Sequence, residues 1–475
     1  MDLERLIAAL APADVVLRTP VEVLDLAYDA RDAAPGTLFF CVPGTTRDGH
    51  EFAADAVARG AVALVVERTL PPPVPQLVVA DARAAMAVAA DAFFGRPTDE
   101  LEVAGITGTS GKTTTAFLLH AILDAAGRSP GLVGTIETRI GSERRTLPRT
   151  TPEAIDLQRL FREMLEAGNR SAVIEASSHA SELRRLDRVR LRALAFTNLS
   201  HEHLDFHRTM ARYFEAKRRL FLADPRPRAA VGVDDEWGRR LAAELPGALT
   251  FGLGEDAALR PGGLELTREG ARFRAGGIDL RTQLRGRFNV ANVLAAVAIA
   301  RLLEVGDEAI AAGVAAVRGV PGRLEPVDEG QPFAVLVDYA HKPEALANVL
   351  REARDLAGGR VLVVFGAGGD RDREKRPLMG RIAAELADVV VVTSDNPRSE
   401  EPQAIVEEIL AGTGRDVQVE LDRRAAIEAA VDQARAGDVV VIAGKGHEPG
   451  QEIAGEVLPF DDRAVAREAL RKVRA

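Results

Sequence analysis

The chain has 475 residues, enough for two to four domains, and 47% of them are apolar, enough for each domain to bury a core. Only 4% are aromatic, so the cores must be built from Ala, Val and Leu. The formal charge is −10, with both signs interspersed and no basic block, which excludes a nucleic-acid-binding surface but leaves room for a local basic pocket that holds a small anion.

Residues 1–96 read as a first unit. Extended runs at Gly36–Val42, Ala61–Val66 and Gln76–Val79 alternate with helical ones at Glu51–Arg59 and Ala82–Phe94. Pro71-Pro72-Pro73 is a stiff turn between them. Cys41 is the single cysteine, so no intrachain disulfide can form and a cytoplasmic setting is expected. The opening Met-Asp-Leu-Glu-Arg lacks the pattern of a signal peptide, and no apolar run is long enough to cross a bilayer, so membrane insertion is not expected.

Gly95-Arg96-Pro97-Thr98 is a linker into a second unit, 97–323, with strands expected at Glu102–Thr107, Ala172–Ala176, Arg192–Thr197, Ala229–Val233 and Ala248–Gly252. Helical stretches between most of them predict a doubly wound, largely parallel α/β sheet. The first strand runs into Gly108-Thr109-Ser110-Gly111-Lys112-Thr113-Thr114, followed by a helix over Ala116–Ala126. Glycine-freed N–H groups and a helix N-terminus form a cradle for a nucleotide triphosphate. Lys112 would reach the β/γ-phosphates and the Thr113 hydroxyl would ligate Mg²⁺. The spacing is tighter than the usual P-loop, whose first glycine would stand at Ile106; a strand–turn–helix with a chance Gly-Lys-Thr is the alternative.

Six of the 61 basic side chains are lysines: Lys112, Lys217, Lys342, Lys375, Lys445 and Lys472. Where arginine serves as the generic cation, a retained lysine points to a compact charge or an amine that can lose its proton. All but Lys472 lie in motifs marked by glycine, proline or acids.

Glu175 ends an apolar strand and precedes Ala-Ser-Ser-His; Asn198-Leu-Ser-His-Glu-His203-Leu-Asp205-Phe-His207 follows. A strand-end carboxylate near a P-loop holds a metal by position; a polar, hydrogen-bonded loop is the plainer reading. The zincin pattern is absent, because Asp205 stands where its second histidine belongs. Lys217 is flanked by Arg218 and Arg219, whose charge would lower its pKa and favour carbamate formation with carbon dioxide, against an ordinary solvated helix face. Residues 254–287 predict a small antiparallel excursion, and Ala291–Leu303 an apolar helix. Asn289 and Asn292 either cap that helix or hydrogen-bond a base.

The third unit, 324–475, predicts strands at Ala334–Asp338, Arg360–Phe365, Val389–Thr393 and Val439–Ala443. Each ends in a charged or glycine-rich loop: Asp338-Tyr-Ala-His341-Lys342, Gly366-Ala-Gly-Gly-Asp-Arg371-Asp, Asp395-Asn396-Pro397-Arg398 and Gly444-Lys-Gly-His-Glu448. Ligands of open α/β sheets bind at such strand ends. Asp-Asn-Pro alone would be a turn, but turns do not need this many charges.

Together these strings resemble the Mur ligase family of ATP-dependent peptide-bond-forming enzymes over essentially the whole chain. The resemblance implies a three-domain architecture: an N-terminal UDP-substrate domain, a central P-loop ATPase-type doubly wound sheet and a C-terminal Rossmann-like domain. It implies ATP binding by Gly108, Thr109, Ser110, Gly111, Lys112, Thr113, Thr114, Asn289, Asn292, Arg323 and Asp338. It implies catalysis by Lys112, Lys217, Glu175 and His203, with a carbamate on Lys217 and Mg²⁺ held by Thr113, Glu175, His203 and Lys217. The UDP-sugar-dipeptide would meet Ala30, Thr45, Thr46, Arg47, Thr150, Thr151, Ser177 and Arg185. The amino acid would meet Arg371, Asp395, Asn396, Pro397, Arg398, Gly444 and Glu448. Two departures touch substrate affinity: Ala30 stands where relatives often have serine, and Arg149 where some have asparagine.

The implied reaction is addition of meso-diaminopimelate to UDP-N-acetylmuramoyl-L-alanyl-D-glutamate through an acyl phosphate, in cytoplasmic peptidoglycan precursor synthesis, by a monomer. The alternatives are a sister ligase that adds L-lysine, a nucleotide-switched binding protein and a small-molecule kinase. Arg398 disfavours lysine, which lacks the second carboxylate an arginine fork would bind. A GTPase-type switch needs Asn-Lys-x-Asp, and no lysine here follows an asparagine. Three domains with an amino-acid-like charged pocket exceed what a kinase needs.

Overall fold

The computed structural model describes residues 1–44, 47–267 and 269–474, and of Arg474 only the backbone. Thr45 and Thr46 therefore lie outside the described residues. By contact density the chain forms two compact units: Met1–Ser200 with His207–Arg260 and Leu294–Gly313, and His201–Phe206 with Pro261–Val293 and Val314–Ala475.

The first unit carries two sheets. Five strands run in the order Asp14–Val16, Gln76–Val78, Ala61–Val66, Thr37–Phe40, Asp25–Ala27. All pair in parallel except the first. Eight strands form the other sheet, in the order Leu249–Phe251, Arg228–Gly232, Leu191–Phe196, Glu102–Thr107, Ser171–Glu175, Pro130–Val133, Thr138–Ile140, Glu143–Arg145. Its first six are parallel and the last two turn back as an antiparallel hairpin. Glu102–Thr107 is flanked by Leu191–Phe196 and Ser171–Glu175, so the P-loop opens between the loops that follow those two strands. The inner strands read as unbroken apolar runs because helices cover both faces; Val103, Ala104, Ile106, Val173 and Ile174 are fully buried.

The second unit holds the antiparallel excursion, Gly262–Thr267, Gly270–Ala275 and Ile278–Thr282. It also holds a six-stranded sheet ordered Glu325–Pro326, Ala334–Asp338, Val439–Ala443, Val361–Phe365, Val389–Val392, Gln418–Val419. Only the first pair is antiparallel. Val439–Ala443 inserts between two strands that precede it in sequence, which gathers the loops after four parallel strands at one end of the sheet. The hairpin Gly450–Ile453 and Glu456–Pro459 completes the unit.

The strands expected at Ala61–Val66, Glu102–Thr107, Ala334–Asp338 and Val439–Ala443 occur with those bounds. Pro130–Val133 was not expected, because a proline and a glycine in a four-residue run read locally as a turn. Helix Lys112–Ala125 begins four residues before the expected Ala116, and helix Arg287–Leu302 four before Ala291.

Candidate active site

The carboxyl end of Glu102–Thr107 delivers the phosphate-type loop. Gly108 has φ +149°, and a Cβ there would stand 1.9 Å from Thr197 Oγ1, so only glycine fits. Gly111, at φ +84°, is the N-cap of helix Lys112–Ala125, whose first N–H groups and positive end face the loop. The neighbouring strand-end loop ties it down. Thr109 N donates to Asn198 O (2.9 Å), Ser110 N to Asn198 Oδ1 (2.9 Å) and the Thr197 hydroxyl to Ser110 O (2.7 Å). The Thr109 and Tyr213 hydroxyls lie 3.1 Å apart. Thr114 is buried on the first turn of the helix.

Lys112 Nζ donates to the carbonyls of Gly108 (2.9 Å) and Thr109 (2.8 Å), and Lys217 Nζ to that same Gly108 carbonyl (2.8 Å). Lys217 is 1% exposed and its Nζ lies 4.6 Å from the centre of the Tyr213 ring. Burial, then the charge of Lys112, push its amine well below the usual lysine range. Arg218 and Arg219, the neighbours that sequence points to, are not the cause. Successive helix positions do not face each other. Arg218 turns to Glu244 and Glu215, and Arg219 to Ser181 O and Asp187.

Glu175 is 1% exposed. It accepts from the Thr113 hydroxyl (2.9 Å), Thr135 N (2.8 Å) and the Thr135 hydroxyl (3.0 Å). From Thr135 the network continues to the Thr150 hydroxyl at 3.0 Å. Thr151 donates to Glu175 O (2.6 Å) and lies 3.1 Å from Ser177 Oγ. Arg185 donates to Thr151 O (3.1 Å) and pairs with buried Glu153 (2.9 Å), which also meets Arg83 and Arg149. The structure thus joins Thr113, Glu175, Thr150, Thr151, Ser177 and Arg185 in one network. Ala30 and Arg47 belong to other loops: Ala30 opens a 3-10 turn capped by Asp29, and the Arg47 guanidinium lies 5.9 Å from the Phe52 ring centre.

Among the described residues, no three His, Cys, Asp or Glu side chains form a ready ion cage. The donor set that Mg²⁺ needs is smaller, because that ion keeps waters and phosphate oxygens as ligands. The Thr113 hydroxyl and the Glu175 carboxylate, in contact on the floor of the loop, fit such an ion. His203 lies in the stretch grouped with the second unit, at φ +56°, its Nε2 3.2 Å from Glu202 Oε1.

In the second unit, Asp338 is buried; its carboxylate accepts from Leu324 N (2.7 Å) and Ala340 N (2.8 Å). Burial raises its pKa, opposed by the charge of Arg323, whose guanidinium lies 5.0 Å from the Tyr339 ring centre. Burial also holds His341 and His447 neutral, both at about 4. Asn289 and Asn292 are not caps but buried members of the first two helical turns. Asn292 Nδ2 donates to Asn289 Oδ1 at 3.0 Å, and Asn289 Nδ2 to Arg285 O at 2.7 Å. Glu352, from helix Pro343–Leu356, accepts instead from Arg287 N (3.0 Å) at the helix start.

The loops expected to meet the amino acid form one cluster. Asn396 lies between Lys445 and Glu448. Arg398, at φ +53°, donates to Gly369 O (2.7 Å) and Glu452 (3.0 Å). The hairpin strand Gly450–Ile453 runs beside the Asp395–Arg398 loop. Gln451 Nε2 donates to Asp395 O (2.7 Å), Glu452 N to Asn396 Oδ1 (3.0 Å) and Arg398 N to Glu452 O (3.0 Å). Pro397 is buried and Arg371 exposed. Gly444 has φ +121°, and a Cβ there would meet Asp395 Oδ2 at 2.4 Å. Arg423 and Asp462, both fully buried, form a bidentate pair (2.8 Å twice), and Arg423 also donates to Ser394 O and Ala443 O. Thr135, Tyr213, Arg423, Gln451 and Glu452 carry no local sequence signal, because each acts on a partner 29 to 104 residues away.

Comparison with known proteins matches this chain to three family models: Mur ligase family, catalytic domain, at residues 24–94; Mur ligase middle domain at 106–300; and Mur ligase, glutamate ligase domain, at 322–446. A protein of Solibacter usitatus named UDP-N-acetylmuramoyl-L-alanyl-D-glutamate–2,6-diaminopimelate ligase is 48% identical over 463 residues, 95% of this chain and 94% of that relative. The chain belongs to the Mur ligase family. The middle-domain match spans the P-loop, Glu175 and Lys217, and the third match spans Arg323 to Lys445. A Geobacillus kaustophilus relative of the same name is 44% identical, with 95% of each chain covered. A solved structure of that name is 32% identical, with TM-score 0.69 and 95% and 96% of the two chains covered. The Thermotoga maritima MurF ligase in complex with ADP, 21% identical, shares the fold, with TM-score 0.64 over 94% and 96%. Mur ligases are ATP-dependent and form amide bonds.

Proposed function

We infer that this Mur ligase adds meso-diaminopimelate to UDP-N-acetylmuramoyl-L-alanyl-D-glutamate at the expense of ATP. The observation that carries the substrate choice is the 42–48% identity, over about 95% of the chain or more, to relatives named for 2,6-diaminopimelate. The product is a peptidoglycan precursor, so the activity serves cell-wall biogenesis and with it cell shape and division. Three domains, 1–96, 97–323 and 324–475, acting as a cytoplasmic monomer, complete the proposal. No described helix is long and apolar enough to cross a membrane.

The D-glutamyl carboxylate attacks the γ-phosphate of ATP, giving an acyl phosphate and ADP; an amine of diaminopimelate then attacks the acyl carbon and phosphate leaves. Two anions must meet in the first step. Lys112 and the N-terminus of helix Lys112–Ala125 neutralise charge on the transferring group. Gly108, Thr109, Ser110, Gly111, Thr113 and Thr114 cradle the phosphates; Asn289, Asn292, Arg323 and Asp338 hold the rest of the nucleotide. Thr113, Glu175, His203 and a carbamate on Lys217 would hold Mg²⁺, which supplies further neutralisation of phosphate charge when bound. The burial of the Lys217 amine supports that carbamate, since only a neutral amine reacts with carbon dioxide. Ala30, Thr45, Thr46, Arg47, Thr150, Thr151, Ser177 and Arg185 receive the UDP-substrate. Arg371, Asp395, Asn396, Pro397, Arg398, Gly444 and Glu448 receive the amino acid.

Phosphate release with the UDP-sugar-dipeptide and ATP tests the reading. Turnover is expected with meso-diaminopimelate and little with L-lysine; equal use of both would overturn the assigned amino acid. The carbamate has its own test: Lys217→Ala is expected to be nearly inactive and partly rescued by short carboxylic acids. A bare amine in an active crystal would contradict it.

A further inference from the structure

Lys445 is one of six lysines in an arginine-rich chain, and it is fully buried. It follows strand Val439–Ala443 directly after Gly444. Its Nζ donates to Asn396 Oδ1 (2.8 Å) and to Glu448 Oε2 (3.2 Å). Asn396 Nδ2 donates to that same Glu448 oxygen (2.9 Å), and Asn396 Oδ1 also accepts from Glu452 N (3.0 Å). Two donors thus converge on one atom of Asn396. A flipped amide would set N–H groups against an ammonium and a peptide N–H, losing both bonds. The ammonium therefore fixes which end of the amide faces Glu448. It also anchors one oxygen of that carboxylate, whose side chain is otherwise 32% exposed. An arginine is too large and planar for this enclosed slot, whereas a compact point charge fits it.

We propose that Lys445 is a positioning residue of the amino-acid site, setting the amide of Asn396 and the carboxylate of Glu448 so that together they bind the diamino acid. The proposal rests on the ligase reading above and adds to it a residue that need not touch the substrate. It accounts for a lysine surviving where arginine replaces nearly every other cation.

The test is steady-state kinetics of Lys445→Met, a variant of similar length without the charge. Losing a charge-assisted anchor is expected to raise KM for diaminopimelate roughly tenfold to a hundredfold. KM for ATP and for the UDP-sugar-dipeptide should stay within about threefold, less than the ~0.7 kcal/mol such a change represents. A second variant, Asn396→Asp, still accepts from Lys445 but offers no N–H to Glu448, and should show the same selective rise. Wild-type turnover with diaminopimelate is measured first, so failure of the ligase reading shows itself separately. If all three KM values and kcat move together in Lys445→Met, the lysine only holds the fold and the proposal fails. It fails too if KM for diaminopimelate does not change. Should Lys445→Met not accumulate as folded protein, Asn396→Asp decides, and an unaltered KM for diaminopimelate there overturns the proposal.

Discussion

The two loop clusters stand at equivalent places, the carboxyl ends of parallel strands, yet the groups at their centres are held differently. Around the P-loop, two lysines lean on backbone carbonyls, and Glu175 accepts from hydroxyls and a peptide N–H. Around Asp395–Arg398, buried and half-buried charges are matched: Arg423 with Asp462, Arg398 with Glu452, Lys445 with Glu448. In its proposed role the first cluster neutralises incoming phosphate, and Lys112 and Lys217 contact backbone carbonyls of the loop that would hold it. In its proposed role the second cluster reads a zwitterion, which needs charges of both signs in fixed places, and mutual pairing holds them.

That contrast breaks most readily at the buried pair of the second cluster. Asp462→Ala would leave the Arg423 guanidinium unpaired in the interior, a loss of roughly 3–5 kcal/mol. Urea or thermal unfolding should show a much lower midpoint; an unchanged midpoint would mean that the pair does not organise the loops. In the first cluster the larger effect is expected on rate. Lys112→Ala should keep its fold and its unfolding midpoint but lose about 10²–10³-fold in turnover or more, the scale of one preorganised electrostatic contact. Turnover within a few-fold of wild type would remove Lys112 from its role.

Arg398→Ala sharpens the comparison, because Arg398 already donates to Gly369 O and Glu452. A charge-assisted pair with the distal carboxylate of diaminopimelate is worth roughly 1.5–3 kcal/mol, so kcat/KM should fall about tenfold to a hundredfold. L-lysine lacks that carboxylate, and its poor use should fall little. Equal losses would show that Arg398 supports the hairpin alone. The smallest effect on stability concerns Lys217, where function opposes stability. In buffer free of carbon dioxide, where Lys217 carries no carbamate, its amine is held well below the usual range near 10.5, so below that pH the unfolded chain binds a proton the folded chain lacks. Folding stability is therefore lost as pH falls. Lys217→Met should raise Tm while abolishing turnover, and the gain in Tm should grow from pH 9 to pH 7. A gain that shrinks on acidification would be incompatible with a neutral buried amine.

Much of the first cluster is legible without coordinates. A glycine loop between an apolar strand and a helix fixes the positions of Gly108, Lys112 and Thr113, because backbone freedom and helix polarity are local properties. The scarcity of lysine singles out Lys217 and Lys445 for the same reason: residue choice is written in the chain. The cause of the Lys217 shift was not legible. The adjacent arginines were the visible charges, but the helix turns them away, and burial does the work instead. The hairpin Gly450–Pro459 escaped notice because its outer strand is exposed throughout and carries no alternating apolar pattern.

The sequence by itself determined the strand–loop–helix order, the glycines that only glycine can fill, and the set of reactive and charged residues at strand ends. These follow from backbone sterics and from apolar runs that must be buried. Only the tertiary structure decided the partners. Thr135 on Glu175, Asn198 on the P-loop, Glu352 at the start of a distant helix, and Glu452 on Arg398 join residues 40, 88, 65 and 54 positions apart. Insertion of strand Val439–Ala443 between two earlier strands brings Lys445 to Asn396. Such pairings depend on strand order and register, which arise from the whole core packing at once and leave no trace in a local window of sequence.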